Sequence, residues 1–405
     1  MLALYPTDGR PGVPGRRVAV TGLGVVAPCG IGRQAFWDGL LGPAPEGIRQ
    51  VADFDATSVY GAKDLRRVDR FTQFAAVAAA EAMEDAGGFE GLRVDPDRAG
   101  VMIGTGIGGI ETIEEQMGVL RERGPRRVSP FIVPMMMGNR AAADVSMRYG
   151  FRGPCEAIVT ACAAGTQSVG AGARLVATGR CDVVFAGSAE AAITDIGKAG
   201  FSNMTALSTS GVSMPFDARR DGFVMAEGGA VLVLEDLDRA VARGAHIYAE
   251  ILGAASTADA HHITAPPPEG TGAVACMELA LLDAGITADA VTHINAHGTS
   301  TPANDLAESV AISKVFGTPG PAVTSIKGIT GHSLGAAGSI EAVALALTMA
   351  HRSIPPTAGL TEQDPEIRID VVTGSPRPWE PGPALSNSFG FGGHNGTIVM
   401  APVRS

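Results

Sequence analysis

Apolar and polar positions along the chain follow two rhythms. Short β-branched runs ended by glycine occur at residues 17–21, 100–103, 182–186, 230–234, 293–295 and 397–400, and each reads as a strand. Between them lie long alanine-rich stretches with helical spacing, at residues 71–86, 165–178 and 339–350. Strands alternating with helices predict an α/β protein built in layers.

The pattern also repeats. Ala-Met-Glu-Asp-Ala-Gly at 82–87 is echoed by Ala-Leu-Leu-Asp-Ala-Gly at 280–285, and each precedes a Gly-Thr turn, at 104–105 and 298–299. Thr160-Ala161-Cys162-x-x-Gly165 and Thr330-Gly331-His332-x-x-Gly335 each open an alanine-rich helix. Gly222-Phe223 and Gly390-Phe391 each precede a further glycine and a β run. These pairs come in one order, so the chain reads as a duplicated α/β unit with halves at 16–250 and 251–405. A length of 405 residues suits two such units. No low-complexity linker separates them, so a shared interface is expected. A pseudo-twofold axis would then bring Cys162 and His332, at equivalent helix starts, to one pocket.

Composition narrows the class. Hydrophobic residues make up 45% and charged residues 18%, enough apolar content for a large core. The formal net charge of -11 argues against nucleic acid as a partner, because phosphate binding needs clustered Lys and Arg. Five cysteines without a C-x-x-C pair suggest neither a disulfide framework nor a zinc finger, and they fit a reducing cytoplasm. The N-terminal apolar run is too short for a signal peptide, and no unbroken apolar run reaches membrane-spanning length. Residues 1–15 read as a lead-in to the first strand.

Candidate chemistry gathers at a few places. Cys162 lies where an apolar run turns into a helix, whose free N–H groups and dipole favour thiolate over thiol. His297 follows a strand, in His297-Gly298-Thr299-Ser300-Thr301-Pro302. His332 is flanked by glycines that allow a ligand close to the backbone, with Lys327 five residues before it. Residues 386–396 hold a glycine cluster whose N–H groups can point inward as an oxyanion site requires. Gly104-Thr105-Gly106-Ile107-Gly108-Gly109 lacks the spacing of a dinucleotide or phosphate loop. The other histidines show no ligand spacing, so no catalytic metal is expected.

Taken together, these motifs resemble the β-ketoacyl-[acyl-carrier-protein] synthases, the elongating condensing enzymes of type II fatty-acid synthesis, and the related polyketide ketosynthases. The resemblance runs from about Arg17 to Val403. It rests on Thr160-Ala161-Cys162, the run from His297 to Pro302 with Asn304-Asp305 and Glu308, Lys327 with Gly331-His332, and Asn387-Ser388-Phe389-Gly390-Phe391-Gly392-Gly393, with Pro215-Phe216-Asp217 beside them. It implies a thiolase-like fold, two related halves in five layers (α-β-α-β-α), and a homodimer, or a heterodimer with a chain-length subunit in the polyketide branch. The implied reaction is decarboxylative condensation of malonyl carrier protein with an acyl chain held as a thioester on Cys162. His297 and His332 would stabilise the enolate, and the N–H groups of Cys162 and Phe391 would hold the oxyanion. Lys327 would act electrostatically, salt-bridged to Glu308. Thr299 and Thr301 would bind the phosphopantetheine arm, Phe391 would gate the acyl channel, and Ile107 and Phe201 would line it. No cofactor is implied beyond the phosphopantetheine carried by the partner, acyl carrier protein. That partner is acidic, so docking would use two basic clusters, Lys63, Arg66 and Arg67 (with Arg70), and Arg126 and Arg127 (with Arg121 and Arg123).

Overall fold

In the computed structural model, which describes residues 15–403, the β-branched runs pair into one twelve-stranded sheet. Ten strands carry it: β1 (Val18–Ala27), β2 (Ala99–Gly104), β3 (Cys155–Glu156), β4 (Val183–Glu190), β5 (Gly228–Asp236), β6 (Ala249–Ala258), β7 (His293–Asn295), β8 (Ala322–Thr324), β9 (Ala384–Gly390) and β10 (His394–Ala401). Gly30–Ile31 and Asp370–Val371 complete it. Seven helices matter below: α1 (Arg70–Asp85), α2 (Ile110–Arg123), α3 (Arg140–Tyr149), α4 (Ala164–Ala177), α5 (Thr271–Ala284), α6 (Pro302–Phe316) and α7 (Ala337–His351). The lead-in expected over residues 1–15 lies, up to residue 14, outside the described residues.

The strand order is β8-β7-β9-β10-β6-β1-β5-β4-β2-β3. Outward from the centre, both halves give the same series of first, fifth, fourth, second and third strand. In both, the fifth strand is antiparallel to its neighbours and the outer three run parallel. β1 and β6 join the halves, with Val18 opposite Ile251 and Val20 opposite Ala249. This is the duplication that the paired motifs predict, written in topology.

Three large apolar cores bind five layers together, the middle core filling both sides of the central helical layer. Phe71, Phe74 and Ala78 of α1 and Val145 of α3 cover one outer face, against Val101 and Phe185. Met277 and Ala280 of α5 and Ile312 of α6 cover the other, against Ile294 and Leu385. Between them α4 and α7 fill a shared middle layer, touching strands of both halves through Val169, Val176, Ile340 and Leu345. Every residue of α7 from Ala337 to Met349 is buried. The span Leu334–His351 is long and apolar enough to cross a membrane, yet 89% of it is buried inside the protein. Its apolar character is that of a core helix sandwiched between layers.

Candidate active site

The two helices of the middle layer begin alike. A single 3₁₀ turn, Ala161–Ala163, leads into α4, and another, Leu334–Ala336, leads into α7. Ala161 and Leu334 open these turns with φ of 49° and 48°, a left-handed conformation that side chains rarely adopt. The matched turns correct the sequence register. Cys162 corresponds to Gly335, and His332 stands three residues ahead of that position. The shared Thr-x-x-x-x-Gly spacing disguised the offset because Gly335 and Gly338 both lie at the start of α7. The apolar run Ile158-Val159 before Cys162, which reads as a strand, forms none: β3 ends at Glu156, ahead of it.

The three residues nonetheless converge. His332 Nε2 lies 3.1 Å from Cys162 Sγ. The rings of His297 and His332 meet at 5.3 Å and 85°. Phe223 packs edge-on against His332 and Phe389 against His297. Main-chain bonds fix His332, whose N–H donates to Val224 O and whose carbonyl accepts from Ala226 N. All three side chains are buried.

Burial decides their protonation. It pushes the Cys162 thiol up to about 12, against the Lys327 charge and the backbone N–H groups of Phe391 and Cys162, which act the other way. The thiolate expected from the helix start is therefore not the resting form, because desolvation outweighs the dipole here. Burial and the Lys327 charge hold both histidines well below their usual range, so both imidazoles are neutral near neutral pH. A neutral thiol beside a neutral imidazole is poised to lose its proton only as sulfur attacks.

Lys327 is buried and anchors His297. Its Nζ donates to His297 O at 2.6 Å, lies 3.4 Å from His297 Nδ1, and forms an ion pair with Glu341 of α7. The expected partner, Glu308, is engaged elsewhere: its two carboxylate oxygens accept from the N–H groups of His297 and Gly298, each at 2.8 Å. Glu308 thus shapes the turn, and Glu341 supplies the counter-charge that a buried ammonium requires. Lone charges at the end of a strand or inside an apolar helix were the available signal for Glu190 and Glu341, and neither was singled out. Glu190 accepts from Gly106 N, Ile107 N, Thr105 Oγ1 and Gly335 N.

The set opens on a cavity of about 330 Å³ whose lining includes Phe201, Thr299, Thr301 and Phe391. Thr299 and Thr301 share a hydrogen bond at 2.9 Å. Phe391 sits on the turn between β9 and β10, beside Gly390. A Cβ at Gly390 would come within 3.0 Å of Cys162 N, so this glycine keeps the turn against the nucleophile. Ile107 departs from expectation. Its main chain is tied to Glu190, and the residue is 43% exposed and not among those lining this cavity.

Residues 42–240 match the family described as "Beta-ketoacyl synthase, N-terminal domain", and residues 248–361 match "Beta-ketoacyl synthase, C-terminal domain". The chain belongs to the β-ketoacyl synthase family. Curated relatives include "3-oxoacyl-[acyl-carrier-protein] synthase 2" of Synechocystis sp., 45% identical over 95% of this chain and 98% of that one. The protein of the same name from Vibrio harveyi is 41% identical over 96% and 99%. Among solved structures, a β-ketoacyl synthase from Burkholderia phymatum superposes with a TM-score of 0.89 at 33% identity, covering 96% of this chain and all of that chain. A complex of a type II polyketide acyl carrier protein with its ketosynthase contributes a chain with a TM-score of 0.89 at 34% identity, with the same coverages.

On the surface of this β-ketoacyl synthase, Lys63, Arg66, Arg67, Arg126 and Arg127 are all exposed. Arg67 stacks on Phe131 at 4.5 Å, which ties the first basic cluster to the segment following the second. Arg70 leaves the cluster. It pairs with Glu227 and packs over Phe74, so it is a structural cation.

Proposed function

We propose that this chain is an elongating 3-oxoacyl-[acyl-carrier-protein] synthase. The observation that carries the reading is the 3.1 Å contact between Cys162 Sγ and His332 Nε2, with His297 facing both from a strand end. In the first half-reaction Cys162 sulfur attacks the acyl thioester as its proton is lost to water, and the departing phosphopantetheine thiolate takes up a proton in turn. The N–H groups of Cys162 and Phe391 hold the transient oxyanion. In the second, malonyl thioester loses carbon dioxide, and the two neutral imidazoles donate hydrogen bonds to the enolate oxygen. The enolate carbon attacks the acyl–Cys162 carbonyl, and the expelled sulfur regains a proton. Decarboxylation supplies the carbanion, so the step calls on no organic cofactor.

On this reading Thr299 and Thr301 bind the phosphopantetheine arm, and Phe391 and Phe201 wall the acyl channel; that all four line the cavity beside Cys162 supports it. The partner is acyl carrier protein, docking on Lys63, Arg66, Arg67, Arg126 and Arg127. A second copy of the chain is proposed as well. Among the described residues the sheet ends at β3, an unpaired edge, and Ile113, Met117, Phe131, Val133 and Val159 are exposed apolar residues. An open edge and exposed apolar side chains favour pairing with a like surface. The polyketide reading keeps the same chemistry and replaces the second copy by a chain-length subunit; the likeness to the polyketide complex supports it. Intact mass after mixing with a series of acyl carrier proteins tests the assignment. Wild type is expected to carry an acyl adduct and Cys162→Ala none. Absence of any adduct from the chain alone would sink the stand-alone reading and favour an obligate partner subunit.

A further inference from the structure

We propose that Cys162, His297 and His332 also form a binding site for a thiophilic divalent cation, with zinc as the type, and that its occupancy reversibly blocks the enzyme. The three residues each offer one ligand atom, and these atoms lie within 4.8 Å of one another. Tetrahedral zinc, with bonds of about 2.3 Å to sulfur and 2.0 Å to nitrogen, holds its ligand atoms about 3.5 Å apart. Cys162 Sγ and His332 Nε2 already stand at 3.1 Å. Side-chain movements of about 1 Å bring the third ligand into range.

The ligand types suit a borderline-soft metal. A thiolate and two imidazoles make the three-ligand set that leaves a fourth position open, and all three residues line the cavity. The charge balance is tolerable. Zinc with one thiolate adds a single positive charge, and the nearby Lys327 is already paired with Glu341. The outer shell is incomplete, however. Among the described residues His332 Nδ1 is buried without a hydrogen-bond partner, and His297 Nδ1 faces the Lys327 ammonium rather than a carboxylate. Orienting partners of that kind strengthen metal sites. Their absence makes this a reversible site, weaker than a structural one.

Binding is a ligand exchange with no redox change. The Cys162 S–H bond breaks, a Zn–S bond forms, and the proton leaves for solvent; each imidazole contributes a lone pair as waters leave the ion. A metallated sulfur no longer attacks a thioester, and an acylated sulfur no longer binds metal. Acyl-loaded enzyme is therefore protected, and a chelator restores the free enzyme.

Chelator-free full-length protein titrated with zinc chloride by calorimetry, in two buffers of different protonation enthalpy, tests the proposal. One ion is expected to bind per chain with release of one proton, and zinc X-ray absorption is expected to show one sulfur and two nitrogens. Cys162→Ser and His332→Ala are each expected to weaken binding by about 100-fold, roughly 2.7 kcal/mol. Cys155→Ser, at an exposed cysteine on β3, is expected to leave it unchanged. On the wild type, saturating zinc is expected to shield Cys162 from iodoacetamide, read by peptide mass. Zinc bound as tightly by Cys162→Ser as by wild type, or Cys162 alkylated at the same rate with and without zinc, would overturn the site.

Discussion

Glu190 joins the two loops that flank the nucleophile. It is fully buried, it accepts from Gly106 N at 2.6 Å and Gly335 N at 3.1 Å, and burial pushes its carboxyl up to about 7. An ionised carboxylate serves all four of its donors, whereas a protonated one gives up part of that capacity. Condensation is therefore expected to slow by about tenfold as pH falls through the Glu190 transition, and Glu190→Gln to be slow with that limb absent from its rate profile. Stability runs the other way. The folded value is raised above the unfolded one, so the contribution is fully present below the ordinary carboxylate value and lost as pH rises through about 7. Glu190→Gln is then expected to unfold at higher urea than wild type at alkaline pH; a variant with an unchanged rate profile would remove this role. At this scale the sequence was informative where glycine and hydroxyl residues frame a reactive side chain, as at Cys162, His297 and His332. It was silent on Glu190 and misled on the partner of Lys327, because ion pairing depends on which helix faces the ammonium. Glu308 and Glu341 lie 19 and 14 residues from Lys327 in opposite directions, and only packing chooses between them.

At the scale of elements, the starts of α4 and α7 cross in direct contact. A Cβ on Gly165 would stand 2.5 Å from Ser339 N, and one on Gly338 would stand 2.4 Å from Thr166 N. Each would also meet a hydroxyl, Ser188 Oγ at 2.6 Å and Thr166 Oγ1 at 2.3 Å, but the main-chain nitrogens cannot rotate out of the way. Gly165→Ala is expected to cost about 1–3 kcal/mol in urea unfolding and to displace Cys162, read as a changed alkylation rate. Wild-type values for both would show that the helices part without strain. The helices α1, α4 and α7 were legible to within a few residues because alanine-rich spacing is a strong signal. β6 was not among the strand signals, since its small residues, Gly253-Ala254-Ala255-Ser256, lack the β-branched mark. β9 hid inside a glycine cluster read as an oxyanion loop, and it is both: a strand as far as Gly390, then the turn that carries Phe391.

At the scale of the whole molecule, the net charge of -11 opposes encounter with an acidic carrier, so a local basic face must reverse the field. Charge reversal at Arg66 and Arg126 together is expected to raise KM for acyl carrier protein by about tenfold with kcat little changed, and added salt to raise the wild-type KM in the same direction. An unchanged KM in the variant would remove this face as the docking site. The duplication was legible here because the same turn chemistry is needed twice, once before α4 and once before α7. The three-residue offset between Cys162 and His332 was not, because equivalent backbone positions need not carry equivalent side chains.

The shared middle layer has a consequence for how the chain acquires its structure. As the polypeptide emerges in order, β1 to β5 can pair and α1 can cover their outer face. Their inner face and α4 stay uncovered until α7, which begins 101 residues after the end of β5 (236 to 337), has been made. Neither half owns a complete interior, so the repeat that looks like two domains on paper is expected to complete its core only when both halves are present, each closing against the other.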